Sequence, residues 1–272
     1  MKFCTVDAFT DTLFKGNPAA VCVVDEFPSD DFMQNVAIEV NLSKTAFIVP
    51  LNENHFDIRW FTPKTEVALC GHATLAAAHV LWTEMEIVAQ EEIYFESKSG
   101  ILKAWRSDDG ITLDFPAYQV KESSAPEGLL EALGVSSVFV GRSKDVYLVE
   151  LLSVEDVVNL EPDIAGLADI DCRGIIVTAE GAPDADYDFV SRFFSPRLGV
   201  PEDAVTGSAH CKLATYWSYR LKKTQFNAYQ ASKRGGYIKI QYDKNEGERV
   251  LLTGYAVTAF SGKFLAVKPG AN

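Results

Sequence analysis

The feature that most constrains this chain is that it repeats itself. Arg59-Trp60-Phe61-Thr62-Pro63 is echoed by Arg192-Phe193-Phe194-Ser195-Pro196, and the apolar run that Cys70-Gly71-His72-Ala73 opens is echoed by the run that Thr206-Gly207-Ser208-Ala209 opens. Ser99-Gly100-Ile101-Leu102-Lys103 is answered in turn by Gly235-Gly236-Tyr237-Ile238-Lys239. Three echoes in one order, spaced by about half the chain, indicate a duplicated domain and not a solenoid unit. The expected boundaries are 1–117 for the N-terminal half and 118–272 for the C-terminal half. The C-terminal strand is free to return to the first half, and a ligand cleft is expected between the two.

Each half reads as α+β. In the first, Lys2 to Phe9, Ala19 to Val24, Thr45 to Val49, Phe56 to Phe61, Ile93 to Ser97, Ile101 to Arg106 and Ile111 to Phe115 alternate with the period of half-buried, mostly antiparallel strands. Asp30 to Val40 puts Phe32, Met33, Val36, Ala37 and Val40 on one helical face behind a Ser29 N-cap, which predicts a peripheral helix. Ala73 to Trp82 and Ala209 to Tyr219 are apolar on nearly every side, as a helix wrapped by its own sheet must be. The fold class is therefore two pseudo-symmetric halves, each a curled, mostly antiparallel sheet around a central helix. Ala117 to Glu127, rich in Ser, Pro and charge, is the expected connection.

Composition narrows the function. With 25 Lys and Arg against 38 Asp and Glu the formal charge is −13, which repels a long phosphate backbone and argues against a nucleic-acid partner, while a local cluster of donors can still hold a small anion. Met1 to Phe9 has the alternation of a strand and not the build of a secretory signal, and no apolar run is long enough to span a bilayer, so a cytoplasmic location without a membrane partner is expected. The five cysteines (Cys4, Cys22, Cys70, Cys172, Cys211) show neither paired C-x-x-C nor H-x-x-x-H spacing, so disulfides and a structural metal site are not expected.

The chemistry should gather where the central helices begin. A helix N-terminus offers unpaired N–H groups and partial positive charge, and Gly71 and Gly207 let a ligand approach the backbone. His72 and Ser208 follow with side-chain donors, Ala73 and Ala209 stand beside them, and a carboxylate is the natural guest. Asp203, four residues before Gly207, is placed to exchange a proton with a polar substrate group. The opposing interpretation, that these glycines only form turns, is weakened by the symmetric pairing. Arg59 and Arg192 are expected to support the fold through local carboxylates or carbonyls, and His79 and His210 to be hydrogen-bonded core groups.

Gly16-Asn17-Pro18-Ala19-Ala20, Asn41-Leu42-Ser43, Cys70-Gly71-His72-Ala73-Thr74 and Glu202-Asp203-Ala204-Val205-Thr206-Gly207-Ser208-Ala209 together resemble the phenazine-biosynthesis isomerase family over nearly the whole chain. The resemblance implies the diaminopimelate-epimerase-like fold, a cofactor-independent shift of a proton between carbons of a small amino-acid-like carboxylate, and a homodimer. It also implies that Asp7, Asn17 and Ser43 lie near the site. Where the family carries its proton-shuttling glutamate, this chain has Lys44.

Three readings of Lys44 stand at this stage: an acid/base, a cation that binds a more acidic substrate, or the loss of the ancestral catalyst. The last would leave a small-carboxylate binding or scaffold protein. Related racemases use two cysteines, one at each central helix start. Here Cys70 is matched by Thr206, too weak an acid or base to complete such a pair, so Cys70 is expected to be a structural thiol. The expected catalytic set is Lys44, His72 and Asp203. Gly71, Ala73, Gly207, Ser208, Ala209, Asn17 and Ser43 are expected to contact the substrate.

Overall fold

The structure is a computed structural model and describes residues 1–85, 88–244 and 248–264. The chain forms two compact units, one of Met1–Leu113 with the segment from Thr253 on, the other of Asp114–Leu252. The C-terminal segment thus belongs with the first unit, and the passage from one unit to the other falls inside a strand, ahead of the 117–127 segment.

The first unit contains β1 (Lys2–Ala8), β2 (Asn17–Val23), α1 (Asp30–Val40), β3 (Lys44–Pro50), β4 (His55–Phe61), β5 (Glu66–Val67), α2 (Gly71–His79), β6 (Glu92–Ser97), β7 (Gly100–Ser107) and β8 (Gly110–Pro116). The C-terminal strand Ala256–Lys263 pairs antiparallel with β1, which pairs with β2. The order then runs through β3, β4, β6, β7 and β8, with β5 on β4. Among the described residues two pairings are parallel, β2 with β3 and β4 with β6. A parallel pair needs a crossover, and the two long helices supply it: α1 lies between β2 and β3 in sequence, and α2 between β4 and β6.

Both helices form for legible reasons. Ser29 Oγ accepts from Phe32 N–H at 3.3 Å, Asp30 and Asp31 complement the dipole of the first turn, and Asn41 ends α1 in the left-handed region at φ 52°. α1 buries Met33, Val36 and Ala37 against Cys22, Phe47 and Phe61. In α2 every residue from His72 to Ala78 is buried, and its run of alanines allows close approach to β1, β2, β3 and the C-terminal strand. The helix then continues as one π-helical turn over Val80–Glu84, beyond the predicted end at Trp82.

The second unit contains β9 (Lys121–Glu122), α3 (Leu129–Leu133), β10 (Phe139–Ser143), β11 (Val146–Glu150), α4 (Val154–Val158), α5 (Ile164–Asp169), β12 (Gly174–Glu180), β13 (Phe189–Ser195), β14 (Val200–Asp203), α6 (Gly207–Leu221), β15 (Gln225–Gln230), β16 (Gly236–Asp243) and β17 (Arg249–Gly254). The pairing order β9, β10, β11, β12, β13, β15, β16, with β14 on β13, repeats that of the first unit. The parallel pairs fall at the same places, β11 with β12 and β13 with β15. The part played by the C-terminal strand in the first unit is taken here by β9, so the segment read from sequence as a bare connection contributes a strand. The short helices α4 and α5 make the crossover that α1 makes in the first unit.

α6 buries Gly207 and every residue from Ala209 to Ser218. Trp217 stacks on Phe189 at 5.5 Å between ring centroids and donates from Nε1 to Thr178 Oγ1 at 3.1 Å. Tyr216 donates its hydroxyl to the buried Glu150, whose other oxygen accepts from Arg220 at 2.9 Å. These bonds fix α6 to β11 and β12 and, through it, the position of the helix start.

Candidate active site

In the first unit the polar residues near the start of α2 form one network. The loop from β1 to β2 returns tightly. Asp7 accepts from Phe14 N–H at 2.8 Å, and Gly16 has φ 63° with its α-carbon so close to Ala8 that a β-carbon would lie 2.2 Å from the Ala8 carbonyl oxygen. Only glycine fits there, and the consequence is that Asn17 enters β2 with 1% of its surface exposed. Because β2 and β3 run parallel with Ala19 opposite Lys44, Ser43 arrives beside Asn17. His72, in the first turn of α2, completes the group.

Distances and charge then settle the protons. Burial, with the Lys44 charge second, holds the His72 imidazole well below its ordinary range, so the ring is neutral at pH 7. Asn17 Nδ2 is a donor and lies 3.2 Å from His72 Nδ1, which must therefore be the bare nitrogen. The ring proton is then on Nε2, 3.1 Å from Ser43 Oγ. Ser43 Oγ is also 3.2 Å from both Asn17 Oδ1 and the Pro18 carbonyl oxygen, and its single proton goes to one of them. Cys70 Sγ lies 3.6 Å from His72 Nδ1. His72 is thus an internal anchor with both ring nitrogens engaged and 5% of its surface exposed. Lys44, half-buried at the first position of β3, folds back so that Nζ donates to the Ser43 carbonyl at 3.1 Å.

Cys70 precedes α2 without capping it through its side chain. The first bond into the helix is Thr74 N–H to the Cys70 carbonyl at 3.2 Å, to which Thr74 Oγ1 also donates at 2.6 Å. The backbone N–H groups of Gly71, His72 and Ala73 are therefore those a helix start leaves without intrahelical acceptors, and Gly71 is partly exposed.

In the second unit the corresponding point carries a carboxylate. The register sets Trp60 against Val67 in one unit and Phe193 against Asp203 in the other, so Asp203 occupies the place of Val67. Asp203 Oδ2 accepts from Thr206 Oγ1 at 2.6 Å. Gln230, at the end of β15 and fully buried, accepts Thr206 N–H on Oε1 at 2.8 Å. It donates from Nε2 to the Asp203 carbonyl at 2.7 Å and toward Thr206 Oγ1 at 3.4 Å.

Among the expected contacts at this helix start, Ser208 is exposed and Gly207 buried. Ala209 is buried, and its N–H already donates to the Thr206 carbonyl at 3.1 Å, so of the two alanines only Ala73 keeps a backbone donor of the expected kind. His210 is a core group. Its Nδ1 bonds the Thr206 carbonyl at 2.8 Å, matching Thr74 in the first unit, and burial brings it down to about 4.

Two residues escaped the sequence reading. Gln230 is one, and its signal is a polar side chain at an inward position of an alternating strand, after the buried Phe226 and Ala228. The other is Lys212, buried one turn behind Ser208, with Nζ 3.2 Å from the Ser208 carbonyl and 4.9 Å from the centre of the Tyr118 ring. Cys70, Cys4, Cys22 and Cys211 are buried free thiols, Cys172 is a partly exposed one, and burial pushes Cys22 and Cys211 up to about 12. Arg59 and Arg192 pair with Glu66 and Glu202 and thus serve the fold as expected. His79 bonds Thr258 Oγ1 at 3.0 Å.

Comparison with known proteins gives a consistent picture. The family model for phenazine biosynthesis-like proteins matches residues 6–262. An uncharacterized isomerase of Halalkalibacterium halodurans is 50% identical over 261 residues, covering 96% of this chain and 97% of the relative. The crystal structure of a PhzF-family phenazine biosynthesis protein from Enterococcus faecalis superposes with a TM-score of 0.90 at 40% identity, covering 96% of this chain and 97% of that one. A hydroxyproline epimerase from Agrobacterium vitis, 13% identical with a TM-score of 0.66 over 96% of this chain and 91% of its own, shares the fold alone.

Proposed function

The chain belongs to the phenazine biosynthesis-like family, whose relatives include proteins named as isomerases, and on that premise we propose that it moves a proton on a small carboxylate-bearing, amino-acid-like substrate. Asp203 takes the carbon-bound proton and returns it. The backbone donors at Gly207, with Ser208, take the substrate carboxylate, and within the first unit Gly71 offers a donor of the same kind and Lys44 a cation. A carboxylate is a feeble base toward carbon. Charge developing on the substrate must therefore be met by fixed donors, which is what helix starts offer.

The observation that carries the proposal is the Asp203 carboxylate held by Thr206 Oγ1 at 2.6 Å, immediately before a glycine-started helix. His72 acts in this scheme by holding Ser43 and Asn17, and with them the start of β3 from which Lys44 projects. A second reading, a binding protein without turnover, draws on Lys44 standing where the family resemblance implies a glutamate and donating to its neighbour's carbonyl.

Conversion of a panel of cyclic and unsaturated amino acids, followed by proton NMR, separates the two. Isomerisation by the wild type, lowered at least a hundredfold in Asp203→Asn, supports the enzyme. Saturable binding of a panel member without conversion supports the binding protein.

A further inference from the structure

Asp203 and Thr206 are joined by more than their own hydrogen bond. Between them lie only Ala204 and Val205, and the two ends of this four-residue corner are gripped by one side-chain amide. Gln230 Oε1 takes Thr206 N–H at 2.8 Å while Nε2 gives to the Asp203 carbonyl at 2.7 Å. A planar amide holds its oxygen and nitrogen at a fixed separation, so the two bonds together fix the distance between the end of β14 and the start of α6. Nε2 also points toward Thr206 Oγ1 at 3.4 Å, a longer contact that disfavours turning the hydroxyl proton back toward Gln230. That proton then goes to Asp203 Oδ2 at 2.6 Å. Gln230 is 0% exposed. A buried amide is costly unless its groups are paired, and here both ends are.

We infer that Gln230 is a positioning residue for the site: it orients the Asp203 carboxylate and the Thr206 hydroxyl that holds it. This rests on the reading of Asp203 as the proton-moving group. Among the described residues the first unit has no such clamp: the place of Gln230 is taken by Ser97, whose Oγ donates to the Gly100 carbonyl within its own turn. The clamp is thus specific to the unit that carries the carboxylate. Few other side chains replace it. Methionine has the length and neither polar group, asparagine is one methylene short, and glutamate keeps the acceptor for Thr206 N–H while losing both donations.

The test has two arms, run on the full chain with Gln230→Met and, should that variant fold poorly, Gln230→Glu. In the first, kcat for the substrate found above is expected to fall at least tenfold with KM within threefold of wild type, the pattern of a group misplaced in the transition state and not in binding. In the second, which needs no turnover, the Asp203 carboxyl carbon is followed by NMR at pH 7. Its resonance is expected to shift in Gln230→Met and in Thr206→Val, and to shift no further in the double variant than in the larger single, because both act on one bond. An Asp203 resonance unmoved in a folded Gln230 variant overturns the inference, as does an unchanged kcat. If wild type converts nothing while the resonance shifts as described, the proton-transfer reading fails and the clamp stands.

Discussion

Arg192 holds Glu202 through two parallel hydrogen bonds, Nε to Oε1 at 2.7 Å and Nη2 to Oε2 at 3.1 Å. Arg59 holds Glu66 the same way in the other unit, at 2.8 and 2.9 Å. In each case the pair ties the long strand to the short one beside it, β4 to β5 and β13 to β14. Because β14 ends in Asp203, the Arg192 pair also supports the proposed site.

Replacing Arg192 by lysine should therefore cost more than a surface salt bridge does. The arginine side chain is 11% exposed and also bonds the Val157 and Leu160 carbonyls, at 3.3 and 2.5 Å. Lysine has no planar fork and leaves several of these acceptors unpaired. Denaturant unfolding should show a loss of about 2–4 kcal/mol for Arg192→Lys. Loss within the error of the measurement would mean that the pair contributes nothing to the fold.

The matching pair in the first unit makes a prediction about acid. Glu66 is lowered to about 2, first by its bonds to Arg59. A carboxyl whose folded pKa lies below its unfolded value contributes stability above the unfolded value, near 4.5, and loses it as pH falls toward 2. Glu66→Gln should flatten the stability profile between about pH 4.5 and 2 relative to wild type, and a profile of unchanged slope there would contradict it.

Histidine shapes the next window. His210 is lowered to about 4 and His72 well below 6.5, in both cases first by burial. Folded pKa values below the unfolded one mean stability present above pH 6.5 and lost as pH falls through the folded value. His210→Phe, which keeps a ring against Phe189, should reduce the slope of stability between pH 6.5 and 4. Nitrogen-15 NMR should find His72 neutral at pH 6 with its proton on Nε2. A charged His72 at that pH would undo the assignment of the Asn17–His72–Ser43 network.

Cys70 sits 7% exposed just before α2, and Thr206 stands at the matching place before α6. Cys70→Ser should leave conversion within threefold of wild type. A loss beyond a hundredfold would make the thiol a base and displace Asp203 from that role.

Much of the fold is legible in the sequence, and the reason is periodicity. The seven strands predicted for the first half fall within a residue or two of their observed ends, while the two-residue β5 carries no pattern, and α1 runs from Asp30 to Val40 with Ser29 as its cap. Alternation and capping are local signals, complete within about ten residues. The parallel pairings are not legible, since they depend on which strands α1 and α2 bring together. Nor is the strand Lys121–Glu122, whose two residues carry no pattern of their own.

Asn17, Ser43 and His72 in the first unit and Asp203 in the second are all singled out by the sequence. What sequence could not show is that His72 has both nitrogens occupied, or that Gln230, in the strand after α6, reaches back to Asp203. Both are tertiary contacts between elements far apart in the chain. The tight first turn that gives the Ala209 N–H to the Thr206 carbonyl is likewise not written in residue types.

The central claim is that this chain moves a carbon-bound proton with lysine at position 44. The most direct measurement is incorporation of deuterium into carbon from deuterated water, read by proton NMR on cyclic and unsaturated amino acids, for wild type and Lys44→Glu side by side. The account predicts exchange by the wild type. Exchange by Lys44→Glu alone would contradict it, showing a binding site whose proton shuttle was lost when glutamate became lysine.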